Sequence, residues 1–129
     1  SLRQAADDNP VRCRIRSWWE LPRTYALRHK IFGQWEGIHA TPSEVAITQH
    51  IYPDIIKVSD MDQPVRISEK YLRDHPNDDH YDAHHHREKF PDGRIGSDPS
   101  LATPHTGELL IDCAVDEMGE DFQSFLLES

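Results

Sequence analysis

The chain has 129 residues, of which 36% are hydrophobic, and a formal net charge of −9 at pH 7. This length corresponds to one domain at most, and a mean hydropathy of −0.74 allows only a modest hydrophobic core. The negative charge argues against nucleic acid or an anionic membrane as a partner. Cys13 and Cys113 form no paired motif, and no signal peptide or membrane span is visible, so we expect a cytoplasmic protein with reduced thiols.

The first predicted element is the alternating segment VRCRIR at residues 11–16. Val11, Cys13 and Ile15 alternate with three arginines, which is typical of a β-strand with one buried face. We therefore expect the apolar side chains to face a core and the arginines to face away from it.

Two helices are predicted next. The first begins near Pro22 and ends at Gly33. The second follows the loop GQWEGIHAT, with Thr41 as its N-cap, and it ends at Pro53. The residues after it, DIIKVSD at 54–60, are expected to form a short strand.

Residues 60–99 are rich in Asp, His, Pro and Gly, which predicts a long loop or excursion with one short helix near 68–73. Its histidines and aspartates are ligand types that borderline metals prefer. A polar loop does not hold ligands rigidly, so we favour a solvated loop over a metal site. A metal-buffering role stays open as a second class of function. The residues of this cluster are His75, His80, His84, His85 and His86, with Asp74, Asp78, Asp79 and Asp82.

The last predicted element is an amphipathic helix with Thr103 as its N-cap and Pro104 at its first position. Alternation of strand and helix along the chain favours an α/β layer architecture. The apolar stripe of this helix is Leu109, Leu110, Cys113, Ala114, Met118, Phe122, Phe125 and Leu126.

Two residues around the second helix carry candidate chemistry. Glu44 lies three residues after Thr41, where a capping box places a carboxylate, so a structural and a functional role are both open. His39 lies in the preceding loop, outside the helix and its apolar face, and a structural role explains it less well.

Three blocks of sequence, read together, resemble the creatinine amidohydrolase (creatininase) family in their order and spacing. They are RSWWEL, WEGIHATPSEVAIT and DGRIGSDPSLATPHTGELLIDCAVDEM. The resemblance covers most of residues 11–127 and is weakest across 60–90. It implies a three-layer α/β/α fold around a mainly parallel sheet.

The resemblance also implies an active site with two divalent metals, zinc with zinc, manganese or iron. The family's members hydrolyse C–N amide bonds of small cyclic amides or formamides, and one branch trims a peptide. His39 matches the loop histidine that shuttles a proton to the leaving nitrogen. Trp35 and Glu36 match a substrate-binding pair, although a packing role for the tryptophan is an alternative. Glu44 matches a glutamate at or beside the metal.

The chain departs from the family pattern in two places. Val45 and Ala46 stand where the family has small hydroxylated residues. The main metal ligands of the family, in a Glu-x-His pair, an Asp and an NGHGGN-like turn, are absent from these 129 residues. Residues 1–129 therefore resemble the C-terminal portion of a single creatininase-like domain.

The resemblance implies three kinds of partner. An N-terminal half would be supplied as a second chain or a cleaved fragment, the substrate would be a small amide, and the assembly would be a homo-oligomer, often a hexamer. The alternative is a non-catalytic fragment that binds or buffers metal through residues 75–86.

Overall fold

The computed structural model describes residues 12–55, 61–75 and 82–128, and within these ranges the chain is helical. These described ranges contain five α-helices, of which the last is the longest. Their bounds are Pro22–Phe32 (α1), Pro42–Ile51 (α2), Glu69–Asp74 (α3), Ala83–Lys89 (α4) and Pro104–Leu127 (α5). Short 3₁₀ turns lie at Trp18–Glu20, Gly33–Trp35 and Pro99–Leu101.

The expected three-layer α/β/α fold with a mainly parallel sheet is wrong for the described ranges. They contain no β-strand, and the β-type pairing found there is a single antiparallel bridge between His39 and Ile95. Most of the segment predicted as a strand at 54–60 lies outside the described residues, and Pro53–Ile55 form a turn.

The N-terminal segment shows why the alternating pattern is misleading. Residues 12–17 are not a strand, and their arginines face the protein because α5 offers them carboxylates. The Arg14 and Arg16 side chains form ion pairs with Asp121 at 3.2 and 2.9 Å. Arg14 also lies over the ring of Phe125, with its guanidinium carbon 4.7 Å from the centroid. Ile15 is 91% exposed, so the predicted dry face is the exposed one.

The two predicted helices around the WEGIHAT loop are confirmed. α1 begins at Pro22, and Gly33 follows its last residue with φ of 57°, a conformation that glycine adopts at low cost. α2 begins at Pro42 with a complete capping box, because the Thr41 hydroxyl accepts from Glu44 N–H while the Glu44 carboxylate accepts from Thr41 N–H.

The segment expected to be a long loop contains two helices. The short helix predicted near 68–73 is confirmed as α3. α4 was not predicted; Asp82 caps it by accepting a hydrogen bond from His84 N–H at 2.8 Å. The predicted start of the last helix is confirmed, with Thr103 as the N-cap of α5.

The core lies where α2 crosses the first half of α5. Phe32, Ala46, Ala102 and Leu110 form a buried cluster there. Gly107 permits the crossing, because a Cβ at that position would collide with the backbone of Ala46.

A carboxylate from α5 caps the first turn of α1. Residue Leu21, at the N-cap of α1, has no side chain able to cap. Glu117 accepts hydrogen bonds from the N–H groups of Arg23 and Thr24 at 2.8 and 2.9 Å, so it satisfies two donors that the helix cannot satisfy itself. This contact fixes α1 on α5. No helix among the described residues is long and apolar enough to cross a membrane.

Candidate functional site

The loop between α1 and α2, residues 33–41, is held against residues 95–98 by backbone hydrogen bonds. Ile38 N–H donates to the Ile95 carbonyl at 2.9 Å, and Ile95 N–H donates to the His39 carbonyl at 3.3 Å. The Ser97 hydroxyl donates to the same His39 carbonyl at 2.6 Å. The backbone of His39 is therefore fixed from two positions of a segment about sixty residues further along the chain.

Close backbone approach and unusual dihedral angles accompany this contact. Gly37 has φ of 65°, and a Cβ there would lie 2.6 Å from the Ile95 carbonyl oxygen. Ala40 has φ of 51°, which is uncommon for a residue with a side chain. Conformations of this kind persist only where surrounding contacts enforce them, and they are often found at functional sites.

Glu36 is fully buried and forms an ion pair inside the protein. Its Oε1 accepts from Arg28 Nε at 2.7 Å and from the Ser43 hydroxyl. Arg28 is itself buried, donates to the Trp19 carbonyl at 2.8 Å and lies over the Trp18 ring. The pair is neutral as a unit, which reduces the cost of burying each charge.

The second oxygen of Glu36 has no hydrogen-bond partner within the described part of the chain. A buried carboxylate oxygen without a donor costs about 1–3 kcal/mol, so such atoms are rare unless something else occupies the position. Oε2 is therefore a buried acceptor whose hydrogen-bonding capacity no described group uses.

Two hydroxyls connect Glu36 to Glu44. The Ser43 hydroxyl lies 3.0 Å from the Thr41 hydroxyl, which in turn lies 2.9 Å from Glu44 Oε2. Thr41 and Ser43 are buried, whereas Glu44 is exposed. The chain of contacts leads from the protein surface to the buried carboxylate.

Trp35 lies half-buried at the entrance of the same loop. Its carbonyl accepts from Asp98 N–H at 2.9 Å, which is a further attachment to the 95–98 segment. The guanidinium carbon of Arg66 lies 5.5 Å from the centroid of the Trp35 ring. Trp35, Glu36 and His39, the predicted site residues of the loop, thus share one anchored segment; their roles stay predictions.

The structural role considered for Glu44 is confirmed, because its Oε2 completes the capping box of α2. No described residue forms a hydrogen bond with Oε1, so the capping role does not use both oxygens. Its assignment at or beside a metal stays a prediction.

The described residues do not fit a metal centre by themselves. Across 12–55, 61–75 and 82–128, no group of three or more His, Cys, Asp or Glu side chains is arranged to hold a metal ion. In the His-rich cluster, the described histidines include the exposed His84 and His85 of α4, while His80 and the two aspartates before it lie outside the described residues. The sequence prediction for that cluster is therefore tested only in part.

The sequence reasoning missed Arg28 and Ser43. A signal for Arg28 was available, because Thr24, Arg28 and Phe32 follow each other at helical spacing on the buried face of α1. A charged residue at a core position requires a partner, and the two acidic residues nearest to Arg28 along the chain are Glu20 and Glu36, each eight positions away. Ser43 had no comparable signal, because serine in a first helical turn is common.

Comparison with known proteins identifies the family of the chain. The sequence model of the creatinine amidohydrolase family matches residues 1–122, which is nearly the whole chain. No curated protein matches the sequence. The matched range includes the anchored loop, the 95–98 segment and most of α5. The chain belongs to the creatinine amidohydrolase family, a family of metal-dependent amidohydrolases.

Proposed function

We propose that this chain is the substrate-side part of an enzyme that hydrolyses a C–N amide bond in a small cyclic amide or formamide. Family membership supports the reaction class. The observation that carries the proposal is the anchored loop, in which His39 follows a buried carboxylate with one unpartnered oxygen.

The roles follow from the chemistry of each side chain. In amide hydrolysis a water oxygen bonds to the carbonyl carbon, the C–N bond breaks, and the leaving nitrogen takes up a proton. His39 delivers that proton, since imidazole exchanges protons near neutral pH. Trp35 packs on the planar amide, and Glu36 accepts a hydrogen bond from a substrate N–H through Oε2.

The metal dependence of the family requires ligands beyond the described residues. We propose two divalent ions, zinc with zinc, manganese or iron as the second, with Glu44 at or beside them and its Oε1 as the available oxygen. A bound divalent ion supplies a Lewis acid and an activated water at neutral pH. The remaining ligands come from an N-terminal half, present as a second chain or as a cleaved fragment that stays associated, within a homo-oligomer.

A row of exposed apolar residues along α5 supports association with another polypeptide. Val115, Met118, Phe122 and Leu126 follow each other at helical spacing and are 37–63% exposed. α5 contains no lysine or arginine, so the same helix of a second copy offers no complementary charge. An acidic edge, formed by Glu108, Asp112, Asp116 and Glu120 at every fourth position, borders the row. The expected partner surface is therefore apolar with basic residues beside it.

Substitution of His39 tests the catalytic role. We expect His39→Ala to lose at least about a hundredfold in amide turnover with metal content unchanged, because general acid catalysis contributes about 10²–10⁴-fold. His50→Ala, in the exposed last turn of α2, is the matched control and keeps turnover. Unchanged turnover in His39→Ala would show that another group protonates the leaving nitrogen.

Mass spectrometry of natively purified material tests the requirement for a second polypeptide. We expect denaturing spectra to show a second chain, one whose sequence carries Glu-x-His and NGHGGN-type motifs, and metal analysis of the same sample to give about two metal ions per pair. Phe122→Glu should reduce the recovery of the second chain. Leu127→Glu, at a position that is also exposed but lies off the apolar row, should not reduce it. Recovery of this chain alone and without metal contradicts the catalytic proposal for this species.

A further inference from the structure

Residues 61–67, here called the strap, precede α3 and contact residues 94 and 96, at the segment that anchors the loop. Two contacts fix the strap. Arg94 Nη1 donates to the Asp62 carbonyl at 2.9 Å, and the Ile67 side chain lies directly on Gly96, where any Cβ would collide with it. Arg66 lies between these two attachments, which is why its guanidinium reaches Trp35.

Arg66 forms no ion pair within the described residues, neither with Asp62 of the strap itself nor with the carboxylates of the neighbouring segments. Those carboxylates already have partners: Asp92 pairs with Arg94, Asp98 accepts from Ser100, and Glu36 pairs with Arg28. The pKa of Asp92 is held below its ordinary value chiefly by the side-chain hydrogen bond from Arg94. The exposed guanidinium of Arg66 is thus available to a ligand at Trp35.

We infer that Arg66 is a specificity-determining residue that favours amide substrates carrying a carboxylate. This inference rests on the proposed function, in which Trp35 packs on the substrate. A planar ligand on the Trp35 ring lies beside the guanidinium or replaces it on the ring face, so a carboxylate on that ligand comes within its reach. Guanidinium forms strong charge-assisted, often bidentate, hydrogen bonds with carboxylates. The neutral Glu36–Arg28 pair adds no net charge that would oppose an anion.

A pair of matched cyclic amides tests the preference. 5-Oxoproline carries a carboxylate on a lactam ring, and 5-oxoprolinamide has a neutral amide in its place. The protein as purified, with any associated chain, is labelled with ¹⁵N, and each compound is titrated while the indole N–H resonances are followed. Trp35→Phe identifies the Trp35 resonance.

We expect 5-oxoproline to bind about five- to tenfold more tightly than 5-oxoprolinamide, since partly exposed charge-assisted contacts have about this strength. Arg66→Gln should abolish the difference. Arg73→Gln, an exposed arginine of α3 whose partner is Glu69 at 3.7 Å, should keep it.

The remaining outcomes separate two failures. Equal affinity of the two compounds for the unsubstituted protein, with the Trp35 resonance shifting, overturns the role of Arg66 and leaves the Trp35 assignment standing. An equal loss of affinity for both compounds in Arg66→Gln also overturns the specificity role, because Arg66 then contributes only general packing. If neither compound shifts the Trp35 resonance, the proposed substrate contact itself fails and the inference fails with it.

Discussion

Two regions of the molecule that contain histidine differ sharply, the 33–41 loop and helix α4. The carbonyl of His39 accepts hydrogen bonds from residues far along the chain, and the neighbouring Glu36 is buried. His84 and His85 of α4 are exposed, and the helix is capped by Asp82, an adjacent residue. The loop has one histidine and the cluster has many, yet the single histidine lies in the more firmly built environment. Long-range contacts, rather than the number of ligand-type residues, distinguish a candidate site here.

The largest expected difference between the two regions concerns buried charge. Arg28→Met leaves the buried Glu36 carboxyl group without its partner, so we expect the free energy of unfolding to fall by about 3–5 kcal/mol. Urea denaturation measures this free energy of unfolding. Arg87→Met, on the exposed helix α4, is the control and should change the free energy by less than about 0.5 kcal/mol.

A double substitution distinguishes charge from packing in that result. Arg28→Met with Glu36→Gln removes the uncompensated charge and should recover part of the lost stability. If the double variant is no more stable than Arg28→Met, the loss arises from packing and the ion pair is not what holds the loop.

Two glycines allow the cost of a steric collision in the loop to be measured separately from the cost of a positive φ angle. Gly37 and Gly93 both have positive φ, but a Cβ would collide with the 95–97 backbone at Gly37 and would meet nothing within 4 Å at Gly93. Gly93→Ala should cost about 1–2 kcal/mol from backbone conformation alone. Gly37→Ala should cost a further 1–3 kcal/mol from the collision, measured by thermal or urea unfolding. Equal costs for the two variants would mean that the loop can move away from residues 95–97.

A smaller effect follows from acidification, which acts on carboxylates in both halves of the molecule. Burial alone raises the pKa of Glu117, but hydrogen bonds from Arg23 N–H, Thr24 N–H and the Thr24 hydroxyl outweigh it, so the pKa lies below its ordinary value of 4.5. The stabilisation is therefore complete above that ordinary value and is lost as the pH falls through the lower, folded-state pKa. Glu117→Gln should cost about 1 kcal/mol at neutral pH, as the loss of a helix cap does, and should flatten the acid dependence of stability.

Asp74 of α3 provides the comparison for that pH effect. The hydrogen bond from Lys70 lowers the pKa of Asp74, so its contribution has the same sign and is also lost on acidification. This pair is exposed and lies within one short helix, so Asp74→Asn should leave the acid dependence nearly unchanged. An equal effect of Asp74→Asn and Glu117→Gln would contradict the importance assigned to the α1 cap.

The helices around the candidate site could be predicted from sequence because their signals are local. Thr41 and Glu44 form a capping box within four residues, with Pro42 at the first helical position, and the structure contains that box. The alternation at 11–16 was an equally regular pattern, but its outcome depended on Asp121, more than a hundred residues away. Periodicity states which residues share a face, whereas the partner of that face is decided by tertiary contacts.

The same distinction applies to the site residues. The loop containing Trp35, Glu36 and His39 could be located from motif resemblance. Its attachment to residues 95–98 could not be predicted, because a single bridge between two loops leaves no local sequence pattern. The roles of these residues stay predictions that the experiments above address. The contact of the Ser43 hydroxyl with Glu36 could not be predicted from sequence either, since it depends on how the loop and the first turn of α2 are placed relative to each other.

The smallest expected effect lies in α4. His84→Ala combined with His85→Ala should change the free energy of unfolding by less than about 0.5 kcal/mol, because both side chains are exposed. Metal content per purified complex should also stay the same, since the proposed metal position is near Glu44 and not on α4. Metal analysis of the double variant beside Glu44→Gln makes the comparison direct. If the double variant loses metal and Glu44→Gln does not, the metal-buffering alternative for residues 75–86 replaces the catalytic one.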